Sequence, residues 1–442
     1  MPATEQRTAS GQEIIGRLHD ARRRSDEFFR MVRADGLYER PIPERHRIIF
    51  YVGHLEAFDW NLLRGKIVKS FHPGYDRLFA FGIDPVGGGL PSEAPSDWPS
   101  LGAVQNYVQE TRAVLDETLG DGARALQGLA HDGFALNTLL NVAVEHRMMH
   151  VETLGYMLHQ LALNQKERGS GPSNPDTGMV IHRAMEIPAG TSTLGLAHGS
   201  GKFGWDNEYE ACTLDVPAFA IDRYKVTNRQ FLEFVAAGGY RTRALWSNED
   251  WDWLRANAIS HPVFWKPAGD AWNCRTMFAE VALPLDWPVY VSHAEASAYA
   301  RWAGKMLPTE AEWHRAAYGT AEGSERDYPW GNSAPDSRLG NFDFCRWDPT
   351  PVNAFPEGQS AFGVCDMLGN GWEWTSTVFA PFPGFESFPF YRGYSADFFD
   401  GRHFVLKGGS ARTAACMLRR TFRNWFQPHY QYVYAGFRCV SH

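Results

Sequence analysis

The segment EHRMMHVETLGYML, Glu145 to Leu158, sets His146 and His150 four residues apart. In a helix that spacing puts both imidazoles on one face, and the rest of that stripe, Leu139, Ala143, Leu154, Met157 and Leu161, is apolar. A third histidine, His54, has the same setting in RIIFYVGHLEAFDWNLL, where Tyr51, His54, Phe58 and Leu62 form one stripe. Leucine packs better than imidazole at such positions, so the pattern points to chemistry. Two such stripes face to face in an antiparallel bundle can bring the three imidazoles to one metal ion. Neutral imidazoles leave a divalent ion its full charge and, if it is octahedral, open positions. That arrangement suits an iron holding an anionic substrate and dioxygen together. A tetrahedral zinc hydrolase could use the same ligands, and three hydrogen-bonded core histidines are the alternative without chemistry.

The elements that must position these residues are legible as four helices, approximately 9–34, 46–66, 100–119 and 133–163. The third, SLGAVQNYVQETRAVLDETL, starts at Ser100, a good N-cap, and lines up Val104, Tyr107, Val108, Val114 and Leu115. Their number and length predict a four-helix bundle. NQKERGSGPSNPDTG, residues 164–178, is polar and rich in Gly, Pro and Ser, as a linker is. Beyond it the pattern becomes short strands and turns. Two helices are expected there, VTNRQFLEFVAAG capped by Thr227 or Asn228 and SHAEASAYARWAGK capped by Ser292. The fold class is therefore α+β, in two domains divided at 1–168 and 169–442.

Composition narrows the function. The 442 residues are 44% hydrophobic and 21% charged, ordinary for a globular chain, and the net charge of -8 disfavours nucleic acid or an anionic membrane as a partner. The basic run ARRRSD, Ala21 to Asp26, reads as a solvated helix face. No apolar signal-peptide core and no run of 18 apolar residues is present, so a cytoplasmic protein is the expectation. Cys212, Cys274, Cys345, Cys365, Cys416 and Cys439 include no C-x-x-C pair and read as buried thiols. Most of the tryptophans lie in the second half, where aromatic packing of loops accounts for them.

IDRYKVTNRQFLEFV, WPVYVSHAEASAYARWAGKMLPTEAEWHRAA, YPWGN, DMLGNGWEWT, VLKGGSAR and YAGFRC occur in order, and together they resemble the formylglycine-generating-enzyme-like domain, a C-type-lectin-related fold. The N-terminal half resembles the DinB-like helical bundle. The pairing resembles the ergothioneine-biosynthesis sulfoxide synthases, in which iron(II) held by three histidines uses dioxygen to join a cysteine sulfur to the imidazole of hercynine. The resemblance implies that His54, His146 and His150 hold iron(II), with the lectin-like half closing over it. It also implies that Asn424 and Trp425, in TFRNWFQPHYQYVYAGFRC, help to hold hercynine. Chemically this fits Asn424 as a hydrogen-bonding group and Trp425 as an aromatic face for a quaternary ammonium.

Departures from the family pattern concern the sulfur donor. Best-known members use γ-glutamylcysteine and carry an aspartate after the Asn-Trp pair and an arginine four residues later, where this chain has Phe426 and Tyr430. Arginines expected after the second helix are absent from FGIDPVGGGLPSEAPSDW, and Phe58 and Met149 replace glutamines that flank the iron ligands. A dipeptide donor would leave its carboxylates without partners, so free cysteine is the expected donor. A selenosugar, as in the related selenoneine synthases, is the alternative. Phe388 stands where the family has a tyrosine near the oxygen, which leaves Tyr391, Tyr394 and Tyr430 as candidate proton donors. A copper-dependent formylglycine-generating oxidase needs a cysteine pair soon after GGS, and ARTAACMLRR offers only one cysteine. A non-catalytic lectin-like binding protein is the most distant reading.

Overall fold

The computed structural model describes residues 11–63, 71–80, 92–120, 130–131, 134–167, 169 and 179–442. The expected linker, and the loop that lacks the arginines, lie largely outside them. The chain divides into two compact units, 1–169 with 201–203, and 170–200 with 204–442. Among the described residues no helix is long and apolar enough to cross a membrane.

The first unit is built on α1 (Gly11–Phe29), α2 (Ile48–Leu63), the short α3 (Pro73–Leu78), α4 (Leu101–Gly120) and α5 (Leu136–Gln160). Helix α1 packs on α5, and α2 packs on both α4 and α5. The Ser100 hydroxyl accepts from the Ala103 amide and caps α4. Helices α2 and α5 are central, and most of their residues are buried, polar ones included. Position in the bundle, more than amphipathicity, decides what these helices bury. The basic run of α1 departs from a solvated face for the same reason. Arg22 is buried and bonds Asp116 of α4, while Arg23 is exposed and pairs with its helical neighbours Asp20 and Glu27.

The second unit contains α6 (Asn228–Ala236), α7 (Asn248–Ala256), α8 (His293–Trp302) and α9 (Glu310–Tyr318). Thr227 and Ser292 cap α6 and α8, each in a capping box with the residue three places on. Two helices were expected here, and four are found among the described residues. Helix α7 buries only Leu254 and has no apolar stripe to read, while α9 is buried from Trp313 through Tyr318 and has no polar face to set a period. A four-stranded sheet runs in the order 424–426, 404–407, 372–378, 435–436, antiparallel except for its last pair. Its core side includes Trp372 and Trp374, both essentially inaccessible. Of the cysteines, Cys274, Cys365 and Cys439 are buried, whereas Cys345 is exposed, and Cys212, at the start of the strand 212–216, and Cys416, in a single turn, are half-buried.

Candidate functional site

Helices α2 and α5 bring His54, His146 and His150 together with their ligating nitrogens within 4.8 Å of one another. The Nε2 atom of His150 lies 3.1 Å from that of His54 and 3.0 Å from that of His146. One imidazole orientation is fixed from outside the pair of helices: His54 Nδ1–H donates to the Phe79 carbonyl at 2.7 Å, so its Nε2 carries the lone pair that faces the other two rings. Phe79 follows α3, and it reaches α2 because residue 53 is glycine. A Cβ there would stand 2.6 Å from the Phe79 ring.

Burial pushes the His54 imidazole down to about 4 and holds His146 and His150 well below the usual histidine range, each further lowered by neighbouring positive or imidazole groups. All three are neutral at pH 7 and present lone pairs. A single N–H on His150 Nε2 cannot serve two nitrogen neighbours at once, and its buried Nδ1 has no hydrogen-bond partner. A cation among the three Nε2 atoms resolves that conflict. The two edges of 3.0 and 3.1 Å are also what nitrogens at about right angles on an ion with bonds of about 2.1 Å produce. The donor set therefore fits a divalent metal of the imidazole-preferring kind.

Aromatic rings wall the cluster. Phe58 stacks on His146 at 3.3 Å and 10°, and Phe50 stacks on His54 at 4.8 Å and 22°. Tyr51 lies 5.7 Å from the His150 ring. Met149, half-buried, precedes His150 on α5.

In the second unit Asn424, Trp425 and Phe426 form a half-buried edge strand, with Trp425 opposite Val405. The Asn424 side-chain oxygen accepts from the Trp425 amide at 2.9 Å. Phe379 lies flat on Trp425 at 4.2 Å and 7°, and Tyr394 and Phe398 approach at 5.4 and 5.7 Å. The candidate tyrosines separate into two groups. Tyr394 stacks on Trp205 at 4.0 Å and touches Trp425, with Tyr391 next to it at 5.5 Å. Tyr430 stacks instead on Phe426, at 5.0 Å and 7°, and contacts Tyr432. Phe388 is buried against Phe390.

Sequence reasoning missed Gly53 and Phe79, which orient His54, and Asp206. Asp206 is inaccessible, accepts from the Ser395 hydroxyl beside Tyr394, and is pushed up to about 6 by burial. Glycine beside a histidine in a helical stripe was the one available signal for the first pair.

Residues 172–442 match the sulfatase-modifying factor enzyme 1-like domain, and residues 17–154 match the DinB superfamily. The chain is 41% identical over 309 residues to the hercynine oxygenase of Mycolicibacterium thermoresistibile, covering 68% of each protein. It is 42% identical over 250 residues to the hercynine oxygenase of Mycobacterium tuberculosis, covering 56% of this chain and 58% of that one. With ergothioneine biosynthesis protein 1 of Schizosaccharomyces pombe it shares 28% identity over 453 residues, 93% of this chain and 54% of the fungal one.

Proposed function

Because the chain belongs to the sulfatase-modifying factor enzyme 1-like family and, within it, to the hercynine oxygenases, we propose that it joins free cysteine to hercynine at an iron(II) centre. It is an oxidoreductase of ergothioneine biosynthesis, an oxygen-dependent sulfoxide synthase.

The observation that carries the iron reading is the gathering of three buried imidazoles with their ligating nitrogens within 4.8 Å of one another. Iron(II) held by His54, His146 and His150 supplies dioxygen binding, electron transfer and acidification of the donor thiol. The chain's own residues do the rest. The Phe79 carbonyl orients His54, Phe58 and Phe50 cover imidazole faces and keep water from them, and Asn424 and Trp425 recognise hercynine through a hydrogen bond and an aromatic surface. The stacked Phe426–Tyr430 pair supports cysteine as donor. Two flat rings replace an acid and a base that a dipeptide would need, and burying an unpaired carboxylate costs several kcal/mol, roughly a 10²-fold penalty or more.

Two measurements test this reading. The purified protein should bind about one iron(II) per chain, and His54→Ala, His146→Ala or His150→Ala should each abolish binding and oxygen consumption. With hercynine, iron(II) and oxygen, cysteine should give sulfoxide at a higher kcat/KM than γ-glutamylcysteine, followed by mass spectrometry. A selenosugar arm under reducing conditions decides against cysteine if its product dominates.

A further inference from the structure

Each ligand helix carries, one residue beyond a histidine, a group that crosses to the other helix. Arg147 follows His146 on α5, and Leu55 follows His54 on α2. Arg147 is fully inaccessible. Its guanidinium donates to the Leu55 carbonyl at 3.0 Å, to Asp59 Oδ2 at 2.7 Å and to Glu56 Oε1 at 2.9 Å, all on α2, and to Ser25 Oγ of α1 at 3.2 Å. Glu56 also accepts from Arg112 of α4 at 2.7 Å, and Arg112 closes the circuit on Asp26 of α1 at 2.7 Å. Arg22 of α1 stands 3.9 Å from the other Glu56 oxygen. One network thus ties α1, α2, α4 and α5 together, buried at Arg147, Glu56, Asp59 and Arg22 and half-buried at Arg112 and Asp26. Burial opposes the charge on Glu56, and Arg147, Arg112 and Arg22 offset it, holding its carboxyl below the usual carboxylate range, while burial and the neighbouring Glu56 raise Asp59.

Buried ion networks contribute little net stability compared with apolar packing, because desolvation offsets their attraction. Geometry is what a planar, five-donor guanidinium supplies. A helix advances about 1.5 Å per residue, whereas metal–nitrogen distances tolerate about 0.2 Å. A small slip of α2 along α5 therefore separates His54 from His146 and His150 by more than a metal site accepts. The bonds from Arg147 to the Leu55 carbonyl and the Asp59 carboxylate oppose that slip directly beside the ligands.

We propose that Arg147 is a positioning residue for the three-histidine cluster: by joining the Leu55 carbonyl and the Asp59 carboxylate of α2 to α5, it fixes the register that holds His54 Nε2 against His150 Nε2. The inference rests on reading the cluster as a metal centre.

Arg147→Lys keeps the charge but, as a single point donor, cannot span a carbonyl and two carboxylates. It should fold with wild-type helicity while iron(II) and cobalt(II) affinity fall about 10-fold or more, the range for outer-shell changes, and the cobalt(II) absorption spectrum should shift. Asp59→Asn takes the charge from one anchor and leaves Arg147 in place. It should show a smaller shift in the same direction, and it serves if Arg147→Lys folds poorly. A merely structural arginine lowers Tm and leaves the spectrum and affinity of the folded protein unchanged, so wild-type values in both variants would overturn the inference. If wild type binds cobalt(II) and His146→Ala does not, that overturning leaves the metal centre standing. If wild type itself binds none, both readings fall.

Discussion

Replacing Gly53 by alanine sets two opposing effects against each other inside one helix turn of the candidate metal ligands. On helix propensity alone, alanine in mid-helix gains about 1 kcal/mol over glycine. Sterically, the new Cβ would stand 2.6 Å from three atoms of the Phe79 ring, closer than real Cβ contacts come. That ring has nowhere to go: Phe79 is inaccessible and sits among Phe50, Trp98 and Tyr107. Overpacking of this kind costs about 1–3 kcal/mol. Displacing Phe79 also stretches its hydrogen bond from His54, worth about 1 kcal/mol more. The clash should win, with a net loss of roughly 1–3 kcal/mol and a fall in Tm of several degrees for a unit of this size. Thermal denaturation of apo Gly53→Ala, paired with an iron(II) titration, reads both consequences. Metal affinity should drop about 10-fold or more as His54 loses its orienting partner. A higher Tm together with wild-type affinity would refute the reasoning, since propensity would then have prevailed and Phe79 would have no hold on the site.

Further outcomes follow from other parts of the molecule. Trp425→Ala should raise the KM for hercynine about 10-fold or more while iron(II) binding is unchanged; concurrent loss of metal would make Trp425 a packing residue only. The double variant Phe426→Asp, Tyr430→Arg should shift donor preference toward γ-glutamylcysteine in the mass-spectrometric competition, and unchanged preference would remove these positions from donor selection. Asp206 gives a pH signature. Burial raises its carboxyl from 3.8 to about 6, so protonation favours the folded state. The stability it contributes is present below about pH 4 and lost as pH rises through 6. Measured by chemical denaturation, wild type should therefore lose on the order of 2 kcal/mol relative to Asp206→Asn across that window, and parallel profiles would contradict the assignment.

The three histidines were legible because helical periodicity reports which face a residue occupies, and their stripes were apolar enough to expose the anomaly. What surrounds them was not. Arg147 and Glu56 read as ordinary charged helix positions, and only the bundle shows that each neutralises the other in the interior. Phe79 acts through its backbone carbonyl, a group every residue has, so no side-chain pattern could single it out. In the second unit, the capping residues Thr227 and Ser292 marked their helices correctly. Ser247 and Thr309 cap α7 and α9 by the same chemistry, yet those helices lacked the periodic apolar pattern that would have drawn attention to their caps. The tyrosines were equivalent on paper. Their partners, Trp205 and Trp425 for Tyr394 and Phe426 for Tyr430, come from segments far apart in the chain or from a local fold of the loop, and distance along the sequence carries no trace of either.

The strand of Asn424, Trp425 and Phe426 lies at the border of its sheet, paired along one side only, and all of its side chains are half-buried. Such a strand is open to evolutionary rewriting. A change at Phe426 disturbs one row of hydrogen bonds and the stack with Tyr430, whereas a change at Trp425 also reaches the buried Phe379, and one at Trp372 or Trp374, in the middle of the same sheet, would disturb the core. Phe426 ends the strand and Tyr430, beyond it, stacks on that one ring, so the proposed donor pair can be exchanged together in few mutational steps. On the proposed reading of that pair, preference for a new sulfur or selenium compound is a trait that can diverge while the imidazole cluster is inherited intact.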